Sequence, residues 1–220
     1  MNNSLDLRCY LVTSRHPSRS HIAAVAAAAA RGGAGVVQVR SKPTSVRDLA
    51  ELARAVARAV FREAPNTRVL IDDRTDVAAA LMAAGEHVHG VHLGQEDLPV
   101  GDARRVLGPQ AIIGLTTGTA DLIRAANTQA HLIDYVGCGP FRPTPTKDSG
   151  RPPIGVEGYP PLVALSQVPL VAIGDVTQAD VPALAATGVA GVALCRELMN
   201  AADPAGTAAS IVRSFACMPS

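Results

Sequence analysis

In "VLIDDRTD", residues 69–76, an apolar run passes directly into three acids and an arginine. Carboxylates gathered at the end of a buried run suit either of two tasks, capping a helix that starts there or holding a hard cation. A second stretch, "GVHLGQEDLP" (90–99), ends another apolar run in Gln95, Glu96 and Asp97. Magnesium prefers a few carboxylates completed by phosphate oxygens and water. Asp73 and Asp97 together therefore fit a Mg2+–pyrophosphate site. Capping stays open as the alternative, since Asp73 and Asp76 precede "VAAALM" and Asp97 precedes Pro99.

The cations point the same way. The chain has only two lysines, Lys42 in "QVRSK" and Lys147 in "FRPTPTKDSG", so arginine does the general work of surface solvation. With Arg40, the two ammonium groups could hold a multiply charged oxyanion; simple solvation of loops is the alternative. Pro143 and Pro145 restrict the backbone around Thr144, Thr146 and Lys147, setting two hydroxyls and an ammonium near one anion. Gly174, and Gly191 ahead of the short "CRELMN", fit a cradle of backbone N–H groups for a monophosphate. In "HVHGVH", strand alternation puts His87 and His89 on one face and His92 on the other, which is poor for zinc. His92 is expected as a polar wall of the site.

These residues need elements to bring them together. Short β-branched runs at 9–13, 35–39, 68–72, 88–93, 111–115, 132–137, 169–174 and 190–194 alternate with alanine-rich helical patterns such as "SVRDLAELARAVARAVFREA". Eight strands, each followed by a helix, predict one (β/α)8 TIM barrel over residues 1–220, with the active site at the C-terminal strand ends. A doubly wound open sheet is the competitor, weakened because "VTSRHPSRSH" after the first run lacks GxGxxG. Nearly every run ends in polar residues, Thr116 and Thr117 after the fifth and Cys195 after the eighth among them.

Composition narrows the class. The 220 residues are 48% hydrophobic and 3% aromatic with a net charge of +1, which argues against a nucleic-acid surface. The four cysteines form no CxxC pair, so neither a zinc ribbon nor a disulfide framework is expected. "MNNSLDLRCYLV" does not read as a secretory signal, and "IAAVAAAAA" is too short to span a bilayer. The expected location is the cytoplasm, and no membrane partner is expected.

Four of these motifs together resemble the thiamine-phosphate synthase family, a relative of the thiazole tautomerases. "QVRSK" resembles its Gln-x-Arg-x-Lys element and "DDRTD" its Asn-Asp-Arg-x-Asp element; "GVHLGQEDLP" and "YVGCGPFRPTPTKD" resemble two further segments. The resemblance implies coupling of hydroxymethylpyrimidine diphosphate to thiazole phosphate with release of pyrophosphate. It implies that Gln38, Arg40, Lys42 and Lys147 contact the pyrimidine diphosphate and that Asp73 and Asp97 ligate Mg2+. Thr144, Thr146, Gly174 and the Gly191–Cys195 turn, with Val192, would hold the thiazole phosphate. The sequence departs from the family at Asp72 (for Asn), Thr116 (often Ser), Asp175 (for a second Gly) and Cys195 (often Ser). Asp72 and Thr116 are carried as substrate-site residues, and Asp175 is expected to face outward and cap the helix in "VTQADVPALAATG". A tautomerase-like enzyme and a non-catalytic thiamine-phosphate-binding protein are the alternatives, and homo-oligomerisation is left open.

Overall fold

Eight of the apolar runs become strands: β1 (Cys9–Val12), β2 (Val36–Val39), β3 (Arg68–Asp72), β4 (Gly90–Leu93), β5 (Ile112–Thr117), β6 (Tyr135–Cys138), β7 (Leu170–Ile173) and β8 (Gly191–Leu194). Each pairs in parallel with the next, and β8 returns to β1 with Cys9 opposite Val192 and Leu11 opposite Leu194, so the sheet closes. The open-sheet alternative is thereby excluded. The computed structural model describes residues 5–143 and 150–216. The expectations for Thr144, Thr146 and Lys147 lie outside the described residues.

Around the barrel lie α1 (Arg19–Arg31), α2 (Val46–Glu63), α3 (Thr75–Ala83), α4 (Val100–Leu107), α5 (Ala120–Asn127), α6 (Tyr159–Leu165), α7 (Val181–Ala185), α8 (Arg196–Met199) and α9 (Pro204–Ala216). Serine starts the first two: the Ser18 and Ser45 side chains accept from the backbone N–H groups of His21 and Asp48. Pro182 lies in the first turn of α7, a position where its missing N–H is not needed, and the helix lasts only five residues. Among the described residues no helix is long and apolar enough to cross a membrane.

Alternation along the strands makes two cores. Outward-facing residues such as Leu11, Val37, Ile71 and Val91 pack against the helices, where Ala26, Ala29, Leu52 and Val56 meet them. Inward-facing residues Tyr10, Val36, Leu70, Tyr135, Val171 and Ala193 fill the barrel. Truncating a fully buried side chain such as Leu70 costs about 2–5 kcal/mol. The inner face changes character along each strand. Leu70 is followed two residues later by Asp72, and Val36 by Gln38, so the inner layer turns from apolar to polar toward the C-terminal ends. That change of layer is how a period-two pattern delivers charge to one mouth of the barrel.

The fourth strand is shorter than its sequence run. It begins at Gly90, with φ 155°, where a Cβ would collide with the Ile112 backbone. His87 and His89 fall before it, at the N-terminal end of the barrel, with ring centroids 4.4 Å apart. Of the three, His92 alone lies inside, at the other end of the barrel, and it is the end of the strand rather than its alternation that separates it from His87 and His89. The fifth strand runs two residues further than expected, through Thr116 and Thr117.

Candidate active site

The mouth of the barrel opens into a cleft of about 770 Å³ lined by Gln38, Arg40, Asp72, His92, Thr116, Gly174 and Cys195, among others. A second hollow of about 610 Å³ adjoins it, formed by Arg40, Lys42, Asp73 and Arg74 with the start of α2. Arg40 and Asp72 border both. One room is thus walled by the polar tops of the strands and the other by cations and acids of the second and third loops.

Asp72, where the resemblance leads one to expect asparagine, is buried at 7% exposure. It is not left as a bare charge: Arg40 Nε lies 3.5 Å and Lys42 Nζ 3.3 Å from its Oδ2. Lys42 also makes a close ion pair with Asp73. The extra acid is therefore balanced by two cations, and Arg40 and Lys42, two of the four side chains named for a diphosphate site, converge on it.

Capping is not the role of the metal candidates. Arg74, at the N-cap of α3, and Pro99, at that of α4, leave both helix starts without a side-chain cap. Asp73 holds a left-handed backbone conformation, φ 58°, and its N–H donates to the His92 carbonyl at 2.8 Å. Two residues beyond His92, the Gly94 N–H donates to Asp97 Oδ2 at 2.6 Å. Both carboxylates thus rise from neighbouring loops of one rim. Asp73 borders the smaller hollow and Asp97 belongs to the neighbouring loop, an incomplete set of hard oxygen donors of the kind Mg2+ completes with phosphate oxygens and water. Among the described residues no three His, Cys, Asp or Glu are grouped to hold a metal by themselves.

Beneath the mouth runs a buried chain of hydrogen bonds that sequence reasoning missed. Gln38 Nε2 donates to Tyr10 Oη at 2.8 Å, and Tyr10 Oη lies 2.7 Å from Tyr135 Oη. Tyr135 Oη is 2.9 Å from His92 Nδ1, and His92 Nε2 is 3.0 Å from Thr116 Oγ1. Space for the two rings comes from Gly114 and Gly137, where a Cβ would press on Tyr135 and His92. Burial raises both phenols well above the usual tyrosine range, so they stay protonated. The available signal was a tyrosine at the inner parity of a strand in a chain with three tyrosines.

On the far side, Gly174 has φ 108°, and a Cβ there would meet Pro140 Cα at 2.6 Å and Phe141 N at 2.8 Å. Only glycine lets these two loops approach. Asp175 next to it does not cap the following helix, contrary to expectation. Thr177 and Asp180 form a capping box on the single 3-10 turn Gln178–Asp180 that leads into α7, with Asp180 Oδ2 accepting from the Thr177 N–H at 2.8 Å. Asp175 instead takes φ 59°, lines the cleft and pairs its carboxylate with Arg196. That box, beginning two residues on, closes the turn without Asp175. Arg142 Nη1 donates to the Asp175 carbonyl at 3.2 Å, adding a second guanidinium that the sequence did not single out.

Two residues of the eighth strand need correction. Val192 faces outward into the layer beneath the helices, and Ala193 takes the inner position beside the cleft, because alternation from Cys195 reaches 193 rather than 192. Gly191 opens β8 at the end away from the cleft, against the Leu7 backbone. Cys195 is at the mouth, ahead of α8. Burial pushes its thiol up, and the Cys138 thiol, also buried, is pushed up to about 11. Neither has the character of a thiolate nucleophile.

A closed parallel barrel with a charged cleft at its C-terminal strand ends places the chain in the class of (β/α)8-barrel enzymes. The family model described as thiamine monophosphate synthase matches residues 9–198. A thiamine-phosphate synthase of Corynebacterium efficiens is 59% identical over 215 residues, covering 98% of each chain. One of Corynebacterium jeikeium is 62% identical over 216 residues, covering 98% of this chain and 97% of the relative. The solved thiamine phosphate pyrophosphorylase of Pyrococcus furiosus superposes with a TM-score of 0.81 at 28% identity, covering 98% of both chains. The chain belongs to the thiamine monophosphate synthase family, and its function is thiamine-phosphate synthesis, a transferase activity on pyrimidine and thiazole substrates.

Proposed function

We propose that the chain joins hydroxymethylpyrimidine diphosphate to thiazole phosphate in a Mg2+-dependent step that releases pyrophosphate, in the cytoplasm. The observation that carries this is the convergence of Gln38, Arg40, Lys42 and Thr116 at one mouth, with Asp73 and Asp97 on the same rim. Gln38 and Thr116 orient the aminopyrimidine in the larger room, while Arg40, Lys42 and Lys147 bind the diphosphate. Asp73 and Asp97 would hold Mg2+, which supplies positive charge to the departing pyrophosphate.

The C–O bond between the pyrimidine methylene and the diphosphate breaks, and its electron pair leaves with pyrophosphate. The electron-rich ring carries the methylene cation until the thiazole nitrogen lone pair forms the new C–N bond. Lys42 and Lys147 stabilise the leaving anion. Gly174, Thr144, Thr146 and the Cys195 turn place the thiazole phosphate. Water excluded from the cleft protects the cation from hydrolysis. No bond to the enzyme forms, in keeping with the raised thiols of Cys138 and Cys195.

Pairing of Asp72 with Arg40 and Lys42, and of Asp175 with Arg196, weakens the case for a non-catalytic binder, since neither acid stands as a bare charge. The test incubates the protein with both substrates, with and without Mg2+, and follows thiamine phosphate and pyrophosphate. Equal molar release of the two, lost with chelator, is expected. Lys147→Ala should slow coupling while thiazole phosphate still binds in a titration; an unchanged rate would remove Lys147 from the site.

A further inference from the structure

The buried chain from Gln38 to Thr116 has a direction. An amide nitrogen can only donate, so Tyr10 Oη accepts from Gln38 Nε2. Each phenol has one proton, and both phenols are fully enclosed, so every proton needs an acceptor within the chain. Tyr10 then donates to Tyr135, and Tyr135 to His92 Nδ1. With Nδ1 accepting, the ring carries its proton on Nε2 and donates it to Thr116 Oγ1. The Thr116 hydroxyl proton is left to point elsewhere, and both Thr116 and Gln38 border the cleft.

We propose that Tyr10 and Tyr135 are positioning residues that lock this polarity, so that Gln38 presents its carbonyl oxygen and Thr116 its hydroxyl proton to the bound ring. Neither tyrosine borders the cleft; both act through the residues at the chain's ends. The pocket thereby offers an acceptor from β2 and a donor from β5. That pair complements an aromatic ring with an amino N–H on one side and an unprotonated ring nitrogen on another. It disfavours the oxo analogue, whose carbonyl would face the Gln38 oxygen. The inference rests on the aminopyrimidine assigned above to the larger room.

Two measurements test it, the first independent of turnover. In 15N NMR of the wild-type protein, His92, assigned by loss of its signals in His92→Gln, is expected as the neutral Nε2–H tautomer. A neutral Nδ1–H tautomer overturns the polarity. In steady-state kinetics, Tyr10→Phe removes the acceptor that fixes the Gln38 amide. Its KM for pyrimidine diphosphate should rise about tenfold while that for thiazole phosphate stays within about twofold. Equal rises in both, or in neither, overturn the positioning role. Absence of coupling in the wild type would defeat the proposed function instead, and the tautomer alone would then decide the polarity.

Discussion

Asp175 holds a left-handed backbone conformation that glycine adopts freely and aspartate tolerates. Its carboxylate lines the cleft and holds Arg196, so it would both add negative charge beside the proposed thiazole phosphate site and occupy a guanidinium that would attract the phosphate. Asp175→Gly removes both effects. Binding of thiazole phosphate should tighten several-fold in a titration at constant pH and salt, with stability changed by no more than about 1 kcal/mol. Weaker binding in the Gly variant would show that Asp175 serves the site through Arg196. The metal acids separate function from folding in another way. Asp73→Ala breaks a half-exposed ion pair, worth about 0–1 kcal/mol. Asp97→Ala gives up one hydrogen bond to Gly94, worth about 1 kcal/mol. Each should nonetheless lose most of its Mg2+-dependent turnover, measured beside the unfolding midpoint; turnover preserved in either variant would strike that residue from the ligand set.

At the scale of elements, the strands were legible because runs buried on both faces are rich in Val and Ile, and the polar residues after them marked the mouth. Alternation also placed His92 correctly. What it did not reveal was depth. Tyr10 and Tyr135 lie within expected strands, yet only the barrel's closure shows that strands one and six meet through their phenols. Nor could the sequence decide how Asp175 would turn, because the Thr177–Asp180 box that displaces it is one of several local options. The sequence singled out neither Gly114 nor Gly137, yet both leave space that other residues' rings fill. Gly114→Ala tests this. Its Cβ would press on the Tyr135 phenol and on His92, in a layer with no room to yield. A loss of about 1–3 kcal/mol is expected in denaturant unfolding, with the KM for the pyrimidine substrate raised as the chain is pushed apart. A neutral substitution would mean that the inner layer is less tightly filled than its geometry implies.

The whole molecule divides its labour between the two ends of the barrel, and pH offers a way to see the division. The proposed metal and substrate sites belong to the C-terminal mouth, while His87 and His89 sit together at the opposite end. His89 Nδ1 accepts from the Val69 N–H at 3.1 Å, and His87 Nε2 lies 2.9 Å from the Thr67 carbonyl. Burial lowers both imidazoles, His89 from 6.5 to about 4. Between those values the unfolded chain takes up a proton that the folded protein refuses, so stability declines as pH falls from about 6.5 toward 4. The carboxylates held low by arginine, Asp6 by Arg8, Asp76 by Arg74 and Glu86 by Arg58, act in a different window. Their contribution is present above the ordinary carboxylate range and is lost only as pH falls below it. In the upper window the histidines therefore govern the slope. Discounted for its partial exposure, the His89 effect is about 1–2 kcal/mol. Unfolding midpoints measured from pH 7 to pH 5 should fall in the wild type and fall less in His89→Gln, which keeps a polar group beside the Val69 N–H but cannot titrate. Thiazole phosphate affinity at pH 7 should be the same in both proteins, because the substitution lies at the far end of the strands. A parallel loss of stability in the two proteins would place the acid sensitivity elsewhere, and a change in affinity would show that the two ends of the barrel are coupled.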